Sequence, residues 1–278
     1  MKYTIVLDSS ANLRTVSGTI PKISVPLKIR VGKDEFVDDE NLELDKMLSA
    51  LETYNGKSGS ACPGVEDYLK AFGDADRIFC ITISGNLSGS YNAARLAKED
   101  YEAAHPDRKV YVIDSLSAGP ELKLIAEKLV HYIENSVLYE EICKKIKVYH
   151  QRLGTLFSLE SLRNLANNGR VNPLVAKIAG VMGIRVIGKA SDDGQLEPLD
   201  KCPGEKRAMQ KMLDRMLEMG YRGGKALIDH CRNLPAAEQL RKLILDKFPE
   251  AQVIIGENRG LCSFYAEQGG LIMGFEQD

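Results

Sequence analysis

The feature that most constrains the fold lies at residues 78–91, where a run of apolar and β-branched side chains gives way to small polar ones. Residues 78–83 are nearly all apolar, which is typical of a strand buried on both faces of a sheet. Ser84 and Asn86 end that strand, and a helix is predicted to open at Ser88. Because the first turn of a helix leaves backbone N–H groups without partners, the junction predicts an anion-binding site. The alternative is that these side chains only cap the helix.

Two further predicted strands end in the same way. Residues 3–7 lead into Asp8, and residues 109–113 lead into Asp114, each with a serine directly behind it. Strands that alternate with helices build a parallel sheet, and ligands bind outside the carboxyl ends of its strands. Both carboxylates could meet at that edge. With no nucleophile or metal ligand beside them, we interpret them as orienting groups or helix caps.

The stretch that follows the first strand is less regular. Residues 23–31 alternate apolar and polar side chains, which predicts one edge strand that contains Pro26. The acidic residues 38–40 precede a helical pattern over 42–51. We therefore interpret the acidic run as the solvated start of that helix.

The organisation changes after the second long helix of the first half. Short strands and amphipathic helices follow, with a helix predicted at 173–181 and a hairpin turn at 191–194. We predict an α/β protein of two α/β domains with mostly parallel sheets, residues 1–153 and 154–278. A cleft between domains is a common place for a ligand.

The composition of the chain and the spacing of its cysteines and histidines argue against several classes of function. A net charge of −2 gives no basic field that would attract nucleic acid or an anionic membrane. No apolar run is long enough to span a bilayer, and the first one is too short for a signal peptide. Six scattered cysteines without CxxC spacing favour free thiols in a reducing cytoplasm. The four histidines lie far apart, so we expect no metal site.

Enzyme signatures are also missing from the sequence. Neither GxGxxG nor GxSxG occurs, and residues 183–190 have Walker A spacing without the Ser or Thr that would bind magnesium. We therefore predict no catalytic residues and no cofactor. An enzyme that acts on a carboxylated or phosphorylated small molecule, through Asp8, Asp114 and the serines, remains the alternative.

Five short motifs then occur in order along the chain. They are Asp-Ser-Ser-Ala-Asn-Leu at 8–13, Ser-Ala-Cys-Pro at 60–63, Ile-Ser-Gly-Asn-Leu-Ser-Gly-Ser-Tyr at 83–91, Asp-Ser-Leu-Ser-Ala at 114–118, and Leu-Arg-Asn-Leu with Asn-Gly-Arg-Val within 162–171. Together they resemble the motifs of the DegV family of bacterial fatty-acid-binding proteins, and the resemblance covers essentially the whole chain.

The resemblance implies a protein that holds one long-chain fatty acid between its two domains. The acyl chain would lie in an apolar tunnel, and hydroxyl groups would meet the carboxylate. Such a protein would present that carboxylate to a separate ATP-binding kinase subunit and supply no phosphate chemistry itself. The residues expected to bind the ligand, from the strand end and from the resemblance together, are Ser60, Ser84, Asn86, Ser88, Arg170 and Tyr265.

Three positions depart from the family pattern. Gly59 stands where the family has Thr, and Gly85 stands where it has a second Ser, so two hydroxyl groups are missing from the expected site. Tyr265 stands where the family has His, and its hydroxyl can donate a hydrogen bond but carries no positive charge near neutral pH. Arg170 would then be the remaining cation of the matched motifs.

Overall fold

The computed structural model describes residues 1–14, 19–172 and 183–278, so the helix predicted at 173–181 lies outside the described residues. The described strands are β1 (Tyr3–Asp8), β2 (Lys22–Val25), β3 (Lys28–Val31), β4 (Asp34–Val37), β5 (Gly59–Ala61), β6 (Arg77–Thr82), β7 (Lys109–Asp114), β8 (Leu153–Leu159), β9 (Ile184–Ala190), β10 (Leu196–Pro203), β11 (Ala226–His230), β12 (Val253–Glu257) and β13 (Leu271–Glu276).

Nine α-helices connect these strands in the described part of the chain. They are α1 (Leu44–Thr53), α2 (Val65–Phe72), α3 (Ser90–Ala104), α4 (Pro120–Glu134), α5 (Tyr139–His150), α6 (Arg163–Asn167), α7 (Glu205–Glu218), α8 (Leu234–Lys247) and α9 (Gly260–Ala266).

The first sheet has four parallel strands in the order β2-β1-β6-β7. Successive side chains of a strand point to opposite faces, and β1 shows the consequence. Val6 packs with α2 and α3 on one face, whereas Ile5 and Leu7 pack with α4 and α5 on the other. The strands that run into Asp8 and Asp114, and the buried strand between them, are thus confirmed.

The edge strand predicted over 23–31 is wrong, because the structure divides it in two. β2 is the edge of the parallel sheet, whereas β3 is the middle strand of a separate antiparallel sheet with the order β4-β3-β5. Pro26 and Leu27 lie between the two strands. Proline has no N–H for a ladder, so the chain leaves one sheet there and enters another.

The second large sheet has six strands in the order β10-β9-β8-β13-β11-β12. Only its β11–β12 pair is parallel. The prediction of mostly parallel sheets therefore holds for the first sheet and not for this one. The predicted hairpin is confirmed as β9 and β10, with Gly194 at φ 78° in the turn. Helix α4 packs between the two sheets. A Cβ at Gly274 of β13 would lie only 2.6 Å from the backbone nitrogen of Glu121.

Candidate functional site

An apolar cavity of about 310 Å³ lies between the two large sheets. Side chains from β8 line one wall, at the alternating positions Thr155, Phe157 and Leu159. The other lining residues of the described chain are Leu27, Ser60, Ala61, Cys62, Ile83, Leu87, Ser88, Gly89, Ser117, Ala118, Leu165, Arg170, Ala190, Leu196, Leu261, Cys262, Tyr265, Ala266 and Ile272. Most of them are apolar, so the cavity suits a hydrocarbon.

Four of the six predicted ligand-binding residues line this cavity. The Ser60 hydroxyl lies 2.8 Å from the Tyr265 hydroxyl, which places strand β5 against helix α9. Ser88 lines the cavity just before α3 begins. Arg170 donates from Nε to the carbonyl oxygen of Leu87 at 3.0 Å. These four side chains are brought together from segments that lie far apart in the sequence.

Arg170 is the single charged side chain among the described lining residues. No carboxylate of the described chain forms an ion pair with it. A half-buried guanidinium in an otherwise neutral wall favours an anionic group close by. The cavity is therefore apolar along most of its surface and attractive to a negative charge at one place.

Ser84 and Asn86 do not line the cavity. Ser84 is fully buried, and its backbone N–H donates to the carbonyl oxygen of Ser117 at 2.9 Å. Asn86 is exposed and donates from Nδ2 to the carbonyl oxygen of Asp193 at 2.5 Å. Both contact the hairpin turn from the second half of the chain, and a Cβ at Gly194 would lie 2.3 Å from the Ser84 hydroxyl. As ligand contacts these two residues stay predictions.

Gly85 does not leave a gap in the cavity wall. A Cβ at this position would lie 2.9 Å from Oδ2 of Asp114 and 3.2 Å from Cδ1 of Tyr91. Neither of those residues lines the cavity. A serine at this position would therefore meet Asp114 rather than the cavity.

Asp8 and Asp114 orient the turns at the strand ends, as predicted. Asp8 is fully buried and accepts hydrogen bonds from the N–H of Ile83 at 2.8 Å and the hydroxyl of Ser90 at 2.6 Å. Burial raises the pKa of Asp8, although these hydrogen bonds act in the opposite direction. Asp114 accepts from the N–H of Gly85 at 3.1 Å. Neither carboxylate faces the cavity, so neither is available for chemistry there.

The solvated helix start predicted at 38–40 is wrong for Asp38. This side chain is 1% exposed and accepts hydrogen bonds from the N–H groups of Gly260 and Leu261, both at 2.9 Å. It therefore caps α9, which carries Tyr265, and not the helix that follows it in the sequence. Burial raises the pKa of Asp38, despite those hydrogen bonds.

Asn12, in the motif at 8–13, forms another buried contact between the first half of the chain and the six-stranded sheet. Asn12 donates from Nδ2 to Asp229 at 2.7 Å and to Asn258 at 3.0 Å, and it accepts from the N–H of Arg259 at 2.9 Å. Lys123 of α4 completes the cluster with an ion pair to Asp229 at 2.6 Å. The motif at 8–13 thus holds the two halves together and does not bind in the cavity.

Sequence reasoning missed a chain of polar side chains that reaches the cavity from α4 and α5. The hydroxyls of Ser117 and Thr155 lie 2.7 Å apart, and Thr155 donates to buried Glu121 at 2.6 Å. His150 lies 3.4 Å from the same carboxylate and donates from Nε2 to the carbonyl oxygen of Ser115 at 2.8 Å. Only the assembled fold brings these residues together, and no local motif predicts it.

The stability contributed by His150 is expected to fall as pH rises. Burial is the largest single effect and disfavours the charged imidazole, but the hydrogen bond and charge of Glu121, the Ser115 carbonyl and the charge of Asp114 together outweigh it and raise the pKa of His150. A raised folded-state pKa gives stability that is complete below about pH 6.5 and lost as pH rises through the folded-state value. The unfolding free-energy difference between wild type and His150→Gln, measured in urea, should be larger near about pH 5.5 than near about pH 8.5. A difference that is equal at both pH values would contradict this expectation.

The described ranges contain neither a cluster of metal ligands nor a helix that could span a membrane. No group of three or more His, Cys, Asp or Glu residues within 1–14, 19–172 and 183–278 could hold a metal ion. Over the same ranges, every helix is too short or too polar to cross a membrane.

Comparison with known proteins gives consistent matches over the whole chain. A family model described as "Uncharacterised protein, DegV family" matches residues 2–276. A DegV domain-containing protein of Streptococcus pneumoniae is 42% identical over 281 residues, covering 100% of both chains.

Solved structures of similar sequence hold fatty acids. The Streptococcus pneumoniae Fatty Acid Kinase (Fak) B3 protein, loaded with linoleic acid, is 42% identical, has a TM-score of 0.98 and covers 100% of both chains. A DegV family protein from Eubacterium eligens, loaded with heptadecanoic acid, is 41% identical with a TM-score of 0.96, over 99% of this chain and 100% of its own. A third, from Ruminococcus gnavus and refined with vaccenic acid, is 27% identical with a TM-score of 0.89, over 99% of each chain.

Proposed function

The chain belongs to the DegV family, and from that premise we propose that it binds one long-chain fatty acid in the cavity between its two large sheets. The observation that carries this proposal is an apolar cavity of about 310 Å³ whose one charged lining residue, within the described chain, is Arg170. An acyl chain gains about 0.8 kcal/mol for each CH₂ that it buries, so the apolar wall supplies most of the affinity.

The carboxylate lies beside Ser60, Ser88, Arg170 and Tyr265. Ser60 and Tyr265 share one hydrogen bond, so one of their two hydroxyl protons stays available for the ligand. Arg170 adds the positive charge, and a hydrogen bond to a charged group is worth about 1.5–3 kcal/mol. In this arrangement Arg170 and Tyr265 together replace the histidine of the family pattern.

Ser84 and Asn86 support the carboxylate site from outside the cavity. They hold the residue 191–194 turn against the segment that carries Leu87 and Ser88. That segment also accepts the Arg170 hydrogen bond through Leu87. The role proposed for the pair is therefore to fix the backbone of the carboxylate site.

The protein acts as a binding protein and presents the fatty acid carboxylate to a separate ATP-binding kinase subunit. Its sequence lacks a phosphate-binding motif, and a similar structure is that of a Fatty Acid Kinase (Fak) B3 protein. The alternative of a small-molecule enzyme has little support, because the hydrogen bonds of Asp8 and Asp114 go to turns outside the cavity.

We also propose a domain boundary and a location for the protein. The domain boundary is kept between residues 153 and 154, at the start of β8. In chain order, β8 is the first strand of the six-stranded sheet. A cytoplasmic location agrees with six cysteines that are all free.

Mass spectrometry of the gently extracted recombinant protein tests the function. We expect a long-chain fatty acid to co-purify, and added oleic acid to raise the Tm of the delipidated protein. Oleyl alcohol is the control for the head group, because it keeps the chain and lacks the carboxylate. It should raise the Tm less than oleic acid does. The absence of both a co-purified acid and any thermal shift would overturn the proposal.

A further inference from the structure

One aromatic side chain of the cavity wall stands beside a glycine of the neighbouring strand. Phe157 of β8 is paired with Gly188 of β9 on one side and with Ile272 of β13 on the other. Directly opposed residues of antiparallel strands project from the same face of the sheet. Because Phe157 and Ile272 line the cavity, position 188 lies on the cavity face as well, although Gly188 itself does not line the cavity.

The ring of Phe157 covers Gly188. A Cβ built on Gly188 would lie 2.2 Å from Cζ of Phe157 and 2.6 Å from its Cε2. Carbon atoms in contact are normally about 3.5–4.0 Å apart, so the ring occupies the volume that a side chain at position 188 would need. The ring can therefore lie down against the sheet only while residue 188 is a glycine.

The surroundings of the ring leave it one direction in which to turn. Phe157 belongs to a packed apolar cluster that includes Leu159, Val186 and Leu196, and it is only 4% exposed. A close-packed cluster has no free volume for a displaced ring, whereas the cavity does. A side chain at position 188 would therefore turn the ring into the cavity. The volume of the cavity would then fall, whichever way an acyl chain runs through it.

We propose that Phe157 and Gly188 together set the largest fatty acid that the cavity accepts. Gly188 keeps the ring down on the sheet, and the space above the ring stays open for a long acyl chain. This inference rests on the proposed fatty acid binding and names the residues that determine chain-length specificity within it. Phe157 contacts the ligand, whereas Gly188 is a positioning residue that acts through the ring.

Competition binding with oleic acid and the shorter dodecanoic acid tests the proposal. Gly188→Ala should shift the ratio of the two affinities toward dodecanoic acid by roughly tenfold, because the turned ring displaces about two methylene groups of the longer chain. The double variant Gly188→Ala, Phe157→Leu should restore most of the wild-type ratio, since a leucine side chain is shorter than the ring and avoids position 188. An unchanged ratio in Gly188→Ala, or no recovery in the double variant, would overturn the proposal.

Gly188→Ala also crowds the neighbouring strand β10, because the added Cβ would lie 2.7 Å from the carbonyl oxygen of Glu197. The double variant carries the same crowding, so a recovery of the ratio can come only from the ring. Phe157→Leu alone adds no such contact and provides the test if Gly188→Ala does not fold. It should raise the affinity for erucic acid, which has a longer chain, relative to oleic acid by about fourfold, the value of one methylene group. An unchanged ratio in this variant would likewise overturn the proposal.

Gly154→Ala is the matched control, because it makes the same change on the other face of the sheet. Gly154 of β8 is paired with Phe275 of β13, and a Cβ at Gly154 would lie 2.8 Å from Cζ of that ring. Phe275 belongs to the core cluster of Leu156, and neither Gly154 nor Phe275 lines the cavity. This variant should lower the Tm and keep the wild-type ratio. A shift as large as that of Gly188→Ala would overturn the proposal, whereas failure of wild type to bind either acid would overturn the proposed function.

Discussion

Replacing Ala118 with phenylalanine is expected to weaken the binding of a long-chain fatty acid by roughly 100-fold while the protein stays folded. Ala118 lines the cavity and packs beside Leu27, Ile83 and Leu261. The larger ring would occupy space that about four methylene groups of the ligand fill. At about 0.8 kcal/mol for each CH₂, their displacement costs about 3 kcal/mol of binding free energy.

The loss can be measured by fluorescence displacement or by calorimetry with oleic acid. A cavity-filling side chain needs little rearrangement of the empty protein, so the free energy of unfolding without ligand should stay close to that of wild type. Ala103→Phe is the control, because Ala103 is exposed on α3 and far from the cavity wall. Unchanged affinity in Ala118→Phe would mean that the acyl chain does not occupy this cavity.

Replacing Asp229 with alanine is expected to lower the free energy of unfolding by about 3–5 kcal/mol. Asp229 is 1% exposed and accepts hydrogen bonds from Lys123 and Asn12. The substitution leaves the Lys123 ammonium group, on a side chain that is 15% exposed, without its counter-ion. Urea unfolding followed by circular dichroism gives the change in free energy.

A double variant separates the charge effect from the loss of packing. Asp229→Leu combined with Lys123→Met removes both charges, so it should recover much of the stability that Asp229→Ala loses. If the double variant were as unstable as Asp229→Ala, the ion pair would not be the cause. If Asp229→Ala cost less than about 1 kcal/mol, the buried cluster would have little role in joining the two halves.

Three of the four strands of the first sheet were predictable because each carries its own local signal. Residues 3–7, 78–83 and 109–113 are apolar runs that end in polar turns, and the structure extends or shifts them by one residue. Such signals depend on neighbours in the sequence, so they survive without knowledge of the fold.

The misplaced elements all depend on contacts that are distant in sequence. The acidic run at 38–40 looks solvated until α9, more than two hundred residues later, places two N–H groups on Asp38. Pro26 was visible in the sequence, but neither the break at this residue nor the separate sheet that β3 enters was predicted. A sequence pattern reports which side chains are polar, and tertiary packing decides which of them are buried.

The predicted ligand-binding residues also fall into two groups, those that line the cavity and those that make tertiary contacts outside it. The motifs contained Ser60, Ser88 and Arg170, and the family resemblance added Tyr265; all four residues line the cavity. They also contained Ser84 and Asn86, which contact a hairpin turn about one hundred residues away. Ser117 lay within a recognised motif without an assigned role, and Thr155 had no motif at all.

The buried contacts of Asn12 and Asp38 also limit how a ligand can enter and leave. Separating the two halves would break the hydrogen bonds between Asp38 and the start of α9. It would also break the cluster around Asp229. Each buried polar group left unpaired costs about 1–3 kcal/mol, so a hinge motion would be rare. Exchange is therefore expected to proceed through small local movements at the rim of the cavity. The exchange rate should then respond to substitutions at that rim and change little when the contact between the two halves is strengthened.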